Sequence, residues 1–78
     1  MAIPKDRTII ASVRDSIGVE IYRNDELVVE IFRDDTKLMR TVTIVKKDIS
    51  LELLEESIEI FKKEIPWDFI NYDELKKE

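Results

Sequence analysis

The spacing of apolar residues changes near residue 47 of this 78-residue chain, and the change predicts a sheet followed by a helix. Before that point apolar and polar side chains alternate, which is typical of β-strands with one buried face. After it the spacing is 3, 4, 3 and 4, which follows one face of an α-helix. The residues of this stripe are Leu51, Leu54, Ile58, Phe61 and Ile65.

Four strands and one helix are predicted, and their bounds follow from composition. The strands are expected at residues 7–13, 17–23, 27–33 and 38–46, which are rich in Val, Ile, Thr, Tyr and Phe. The helix is expected at 49–65, capped by Asp48 or Ser50 and stopped by Pro66. A helix laid on one face of an antiparallel meander is the natural two-layer arrangement. The predicted class is therefore α+β, with the simplest strand order 1-2-3-4.

A chain of this length is expected to form one domain over residues 1–78. Its parts would be an N-terminal arm (1–6), the sheet (7–46), the helix (49–65) and an aromatic, acidic tail (66–78).

A repeated segment predicts how the second and third strands face each other. Val-Glu-Ile-Tyr-Arg-Asn-Asp at 19–25 returns ten residues later as Val-Glu-Ile-Phe-Arg-Asp-Asp at 29–35. A three-residue loop at 24–26 would keep both inward sets odd-numbered, since directly opposed residues share a face. The expected pairs are 21 with 29 and 19 with 31 inside, and 22 with 28, 20 with 30 and 18 with 32 outside.

The other two hairpins are assigned by the same rule. A three-residue turn at 14–16 and a two-residue loop at 36–37 are expected. The resulting inward pairs are Ala11 with Val19, Ile9 with Ile21, Ile31 with Val42 and Val29 with Ile44.

The outer face of the sheet is the first candidate for a binding surface. It is expected to expose apolar residues around two adjacent carboxylates: Tyr22, Phe32, Val28, Ile10 and Val45 around Glu20 and Glu30. Opposed like charges destabilise a sheet. Two interpretations are open: nearby arginines (Arg23, Arg33 or Arg40) offset the charge, or the face docks a partner that carries Arg or Lys. Acid–base catalysis is disfavoured, because an open face does not desolvate carboxylates as a cleft would.

The tail carries more large apolar side chains than is usual for a terminus that makes no contacts. They are Trp67, Phe69, Ile70, Tyr72 and Leu75. They either fold back and close the end of the core, or form an anchor that inserts into a partner or a second copy. Trp67 and Phe69 are therefore further partner-binding candidates.

Composition excludes several kinds of site. The chain has no cysteine and no histidine, which removes thiolate chemistry, the usual general base and the usual zinc ligands. Its single glycine, Gly18, rules out a glycine-rich phosphate loop. No enzyme activity, no cofactor and no metal are therefore expected.

Charge and hydropathy indicate the kind of partner. Residues 1–47 hold nine basic and eight acidic residues, whereas residues 48–78 hold four and ten, a net charge of −6 in that part. An acidic chain is a poor nucleic-acid binder, so a basic protein or peptide is the expected partner. Apolar runs are short and no signal peptide is seen, which favours a cytoplasmic protein with no membrane partner. Two copies could also pair through edge strands or the tail.

Three segments resemble a known family. They are Gly-Val-Glu-Ile-Tyr-Arg-Asn at 18–24, Asp-Ile-Ser-Leu-Glu-Leu-Leu-Glu-Glu at 48–56 and Ile-Pro-Trp at 65–67. They look like parts of the small acidic companion proteins of radical-SAM peptide spliceases, enzymes that remove a tyramine unit from ribosomal peptide precursors. The resemblance implies a non-catalytic subunit that helps the maturase hold its precursor peptide. The resemblance implies that the partner binds the iron–sulfur cluster and S-adenosylmethionine, because this chain has no cysteine to bind a cluster.

The favoured function is a small accessory protein that docks on an enzyme or on its peptide substrate. The alternative is an acidic inhibitor: an immunity protein, an antitoxin or a nucleic-acid mimic.

Overall fold

The computed structural model describes residues 3–70 and has the predicted α+β fold. Four antiparallel strands form one sheet in the order β1-β2-β3-β4. The strands are β1 (Arg7–Val13), β2 (Ser16–Arg23), β3 (Glu26–Asp34) and β4 (Met39–Ile44), and helix α1 (Leu51–Glu64) follows them. The helix packs against the two central strands, β2 and β3, and leaves both edge strands largely uncovered on that side.

Helix α1 begins and ends where its sequence signals lie. The Ser50 hydroxyl accepts a hydrogen bond from the Leu53 N–H at 3.0 Å, so Ser50 is the N-cap. Ile65 ends the helix in an extended conformation, as expected for the residue before Pro66. The buried stripe differs from the predicted one at its start, because Leu51 is 66% exposed and Leu53, rather than Leu54, packs against the core.

The core lies between α1 and the central strands, as the inward pairs of β2 and β3 predicted. Its fully or nearly fully buried apolar side chains are Val19, Ile21, Val28, Val29, Ile31, Phe61 and Ile65. Ser57 is also buried in the helix face, and its hydroxyl donates to the Leu53 carbonyl at 2.8 Å.

The turn between β2 and β3 has two residues, so the expected three-residue loop is wrong. Asn24 and Asp25 have φ values of 52° and 66°, the left-handed pair of a type I′ turn, whose twist matches the flanking strands. The extra residue lies instead in β3, where the register shifts and Val28 has no opposite partner. This bulge restores the predicted inward pairing, but it buries Val28 to 2% exposure. The expectation that Val28 is exposed opposite Tyr22 is therefore wrong.

The turn between β1 and β2 also has two residues, and here no bulge compensates. Arg14 has a φ of 54°, and the register pairs Ile10 with Val19. The predicted assignment for β1 is therefore reversed: Ile10 is on the helix side, and Ile9 and Ala11 are on the outer face.

The register of β3 and β4 is the predicted one. Ile31 lies opposite Val42 and Val29 opposite Ile44. The connecting loop has four residues, 35–38, instead of the predicted two, 36–37. Both loops are centred on the same point, so the register is unchanged.

Candidate functional site

The outer face, the side of the sheet opposite α1, has the predicted pair of carboxylates at its centre. Glu20 lies directly opposite Glu30, and the same row continues to Ile9 on β1 and Thr43 on β4. Helix α1 packs against the opposite side of β2 and β3, and both glutamates are half-buried.

An aromatic ring borders the carboxylates on one side. Phe32 lies opposite Gly18, and that row continues to Ala11 on β1. A Cβ atom placed on Gly18 would lie 2.7 Å from Cγ of Phe32, so the ring lies across the glycine. Because Gly18 has no side chain, Phe32 forms a flat apolar platform beside Glu20 and Glu30.

A second aromatic ring borders the carboxylates on the other side. Tyr22 lies opposite Arg7, whose guanidinium carbon is 4.2 Å from the ring centroid. Arg7 also donates to Asp25 Oδ1 at 2.7 Å and to the Pro4 carbonyl at 2.9 Å. These bonds hold Arg7 over Tyr22 and at the turn.

The three arginines that could have offset the glutamates are engaged elsewhere. Arg23 binds the carboxylate of Glu56 on α1. Arg33 pairs with Asp35, and Arg40 stacks on aromatic rings of the segment after the helix. Among residues 3–70, no ion pair or side-chain hydrogen bond reaches Glu20 or Glu30.

A buried ion pair that was not predicted from the sequence fixes the segment after α1 to the sheet. Arg33 is 3% exposed and Asp35 6%. Arg33 Nε lies 2.9 Å from Asp35 Oδ1, and its Nη1 donates to the Pro66 carbonyl at 2.6 Å. Asp35 Oδ1 also accepts from the Ile70 N–H at 3.0 Å. Arg33 alternates in step with the inward-facing residues Val29 and Ile31, and this spacing could have indicated that its side chain is buried.

Trp67 and Phe69 lie on the helix side, away from the glutamates. Arg40 lies 3.7 Å from the Trp67 ring centroid and 4.3 Å from that of Phe69, and it donates to the Trp67 carbonyl at 2.7 Å. Trp67 also meets Phe61 edge to face, with 6.3 Å between ring centroids. Residues 66–70 therefore fold back and close the end of the core, although Trp67 remains 49% exposed. The predicted roles of Tyr72 and Leu75 lie outside the described residues.

Within residues 3–70, no group of three or more acidic side chains is arranged to hold a metal ion. No helix of this part of the chain has the length and apolar character needed to cross a membrane.

Comparison of the chain with protein-family models, with curated proteins and with solved structures gave no match.

Proposed function

We propose that this protein is a small non-catalytic accessory protein that holds a basic segment of a partner enzyme, or of that enzyme's peptide substrate, on the outer face. The observation that carries the proposal is the Glu20–Glu30 pair. Opposed carboxylates cost stability, typically some tenths of a kcal/mol up to about 1 kcal/mol. Within residues 3–70, no basic side chain forms an ion pair with either carboxylate. An arginine or lysine supplied by a partner would remove that cost on binding.

The surroundings of the pair favour a side chain with both a charge and an apolar stem. Phe32 and Tyr22 border the carboxylates, and Ile9 extends the row onto β1. Arginine and lysine bury their methylene stems along apolar surfaces while their charged ends find partners. A basic side chain that lies across Phe32 would reach Glu20 and Glu30 together.

The partner-binding residues in this proposal are Glu20, Tyr22, Glu30 and Phe32. Val28 is left out because it is buried. Trp67 and Phe69 lie on the other side of the sheet, so they would serve a second contact rather than this one.

The resemblance to splicease companion proteins supports a specific partner: a radical-SAM maturase and its precursor peptide. In that assignment the partner supplies the cluster and S-adenosylmethionine, and this chain supplies a surface. The proposal places the protein in the cytoplasm with its enzyme. The net charge of −5 supports a basic protein or peptide rather than a nucleic acid.

The test is capture of partners from native lysate by the wild-type protein and by two matched variants, followed by mass spectrometry. The face variant is Glu20→Lys with Phe32→Ala. The control is Glu55→Lys with Leu51→Ala, which makes the same charge change beside an exposed apolar truncation on α1. We expect the control to retain the partner and the face variant to lose it.

Retention by a folded face variant would refute the proposed surface. The activity of the captured enzyme then distinguishes an accessory protein from an inhibitor. If this chain is an accessory protein, adding the wild-type protein should raise the rate of that enzyme. If it is an immunity protein or antitoxin, adding it should abolish the activity of its target.

A further inference from the structure

We infer that β1 is a homodimer interface: two β1 strands pair antiparallel about a two-fold axis through Ile10, which joins two four-stranded sheets into one. Within residues 3–70, β1 pairs with β2 alone, so its other edge is free. Edges that avoid pairing usually carry lysine, proline or a bulge. Residues 8–13 have no charge and no proline, and their register with β2 is continuous.

The backbone of β1 is complementary to itself in this arrangement. A two-residue hairpin closes on a hydrogen-bonded pair, here Val13 and Ser16, and such pairs alternate along an antiparallel ladder. The N–H and C=O groups of Thr8, Ile10 and Ser12 therefore point to the free edge. Pairing about Ile10 sets Thr8 opposite Ser12 of the second copy, so all of these groups find partners.

The side chains of β1 also match. Ile10, 54% exposed on the helix side, would meet its own copy at the axis. On the outer face Ile9, 39% exposed, would lie opposite Ala11 of the second copy. Because the axis is perpendicular to the sheet, both copies of α1 lie on one side and both glutamate pairs on the other.

Charge complementarity at the strand ends selects the second copy as the occupant of this edge. Asp6 precedes β1 and Arg14 follows it, so the symmetric pairing brings Asp6 opposite Arg14 of the other copy at both ends. Within residues 3–70, Arg14 has no ion-pair partner. Asp6 uses Oδ1 to accept from the Asn24 N–H at 2.8 Å, which leaves its other oxygen for the second copy.

The other edge strand does not have this property. Lysines flank β4 at both ends, and two-fold pairing centred on Val42 would set Lys37 opposite Lys47 of the second copy. Opposed like charges disfavour that pairing, so β1 is the edge that we assign.

Charge exchange tests the interface. Asp6→Lys alone, or Arg14→Asp alone, opposes like charges at both ends of the homodimer. In an equal mixture of the two variants, each end of the heterodimer again joins unlike charges. The measurement is light scattering on a sizing column and native mass spectrometry over a concentration series, with 9.3 kDa for one copy.

We expect the wild-type protein to reach twice the monomer mass as concentration rises, and each single variant to raise the dimer Kd by about tenfold or more. We expect the mixture to recover dimers that contain one copy of each variant. This recovery separates loss of the interface from damage to the Asp6 bond with Asn24.

A backbone variant supplies an independent readout. Ile10→Pro removes an N–H that faces solvent in the monomer, a position where edge strands tolerate proline. It should abolish the dimer while circular dichroism still reports the folded sheet. A monomeric wild-type protein at about 1 mM, beyond the range of weak interfaces, would overturn the inference. So would a mixture of the two charge variants that fails to form dimers, or a dimer whose Kd is unchanged by the β1 variants.

Discussion

Glu20 and Glu30 lie directly opposite each other, so removal of either charge should stabilise the protein. Directly opposed side chains have Cβ atoms about 5 Å apart. Two carboxylates about 6 Å apart repel by roughly 0.7 kcal/mol at the dielectric constant of water, and by more where the sheet excludes solvent. We therefore expect Glu30→Gln, which keeps the size of the side chain, to raise the free energy of unfolding by about 0.5–1 kcal/mol. For a domain of this size, that gain raises Tm by roughly 2–8 °C.

The assay is urea and thermal unfolding of the wild-type protein, Glu20→Gln, Glu30→Gln and the double variant. Each single variant removes the whole repulsion, so the double variant should gain little beyond either one. The advantage of the single variants should shrink between 0.05 M and 1 M salt, because the Debye length falls to about 3 Å at 1 M.

Glu26→Gln is the matched control, with the same change of charge at an exposed position in the same sheet. Glu26 pairs with Lys46, whose Nζ lies 3.9 Å from its carboxylate, so this variant should lose at most a few tenths of a kcal/mol. If Glu26→Gln stabilises the protein as much as Glu30→Gln does, repulsion between Glu20 and Glu30 is not the cause of the stabilisation. The same conclusion follows if the effects of the two single variants add fully in the double variant. The stabilised variants should also bind the partner more weakly, the usual relation between a strained site and its function.

Two further substitutions test the packing that positions the outer face. Gly18→Ala should destabilise by about 1–3 kcal/mol or more in urea unfolding, because its Cβ would lie 2.1 Å from the Ile31 carbonyl oxygen and 2.7 Å from Cα of Phe32; an unchanged midpoint would contradict this close packing. Arg33→Met should cost about 3–5 kcal/mol, since it leaves Asp35 buried without its cation. Adding Asp35→Leu should recover much of that loss, and a double variant as unstable as the single one would refute the assignment.

The sequence predicted the elements well because alternation and helical spacing are strong signals. It also predicted the inward faces of β2 and β3, although it placed the extra residue in the turn instead of the strand. An extra residue in the turn and an extra residue in β3 both leave Ile21 opposite Val29 and the same side chains facing inward. The apolar pattern alone therefore could not distinguish a three-residue loop from a bulge at Val28.

The face of β1 could not be read from its own residues. Ile9, Ala11 and Val13 form the more apolar set and predicted the inward face, whereas Thr8, Ile10 and Ser12 lie on the helix side because the turn length sets the register. That turn places Arg14 in the left-handed region, which arginine seldom occupies and which the sequence does not signal. One residue of turn length thus moved Ile10 from the outer face to the helix side.

The candidate site was predicted at its centre and missed at its edges. The Glu20–Glu30 pair follows from the repeated segment and was placed correctly. The pairing of Arg33 with Asp35 was not foreseen, because two charged residues beside a turn usually face solvent. Only the closure of residues 66–70 over them makes their burial favourable.

That closure also orders the steps by which the chain acquires its structure. The hairpins of a meander join near neighbours, and such local contacts form quickly. The bonds from Arg33 to Pro66 and from Asp35 to Ile70 span 33 and 35 residues. Because the segment 66–70 contacts β3, β4 and α1, we expect it to dock late in folding. Contacts that form late should act chiefly on the unfolding rate, so we expect this segment to lengthen the time for which the native state persists.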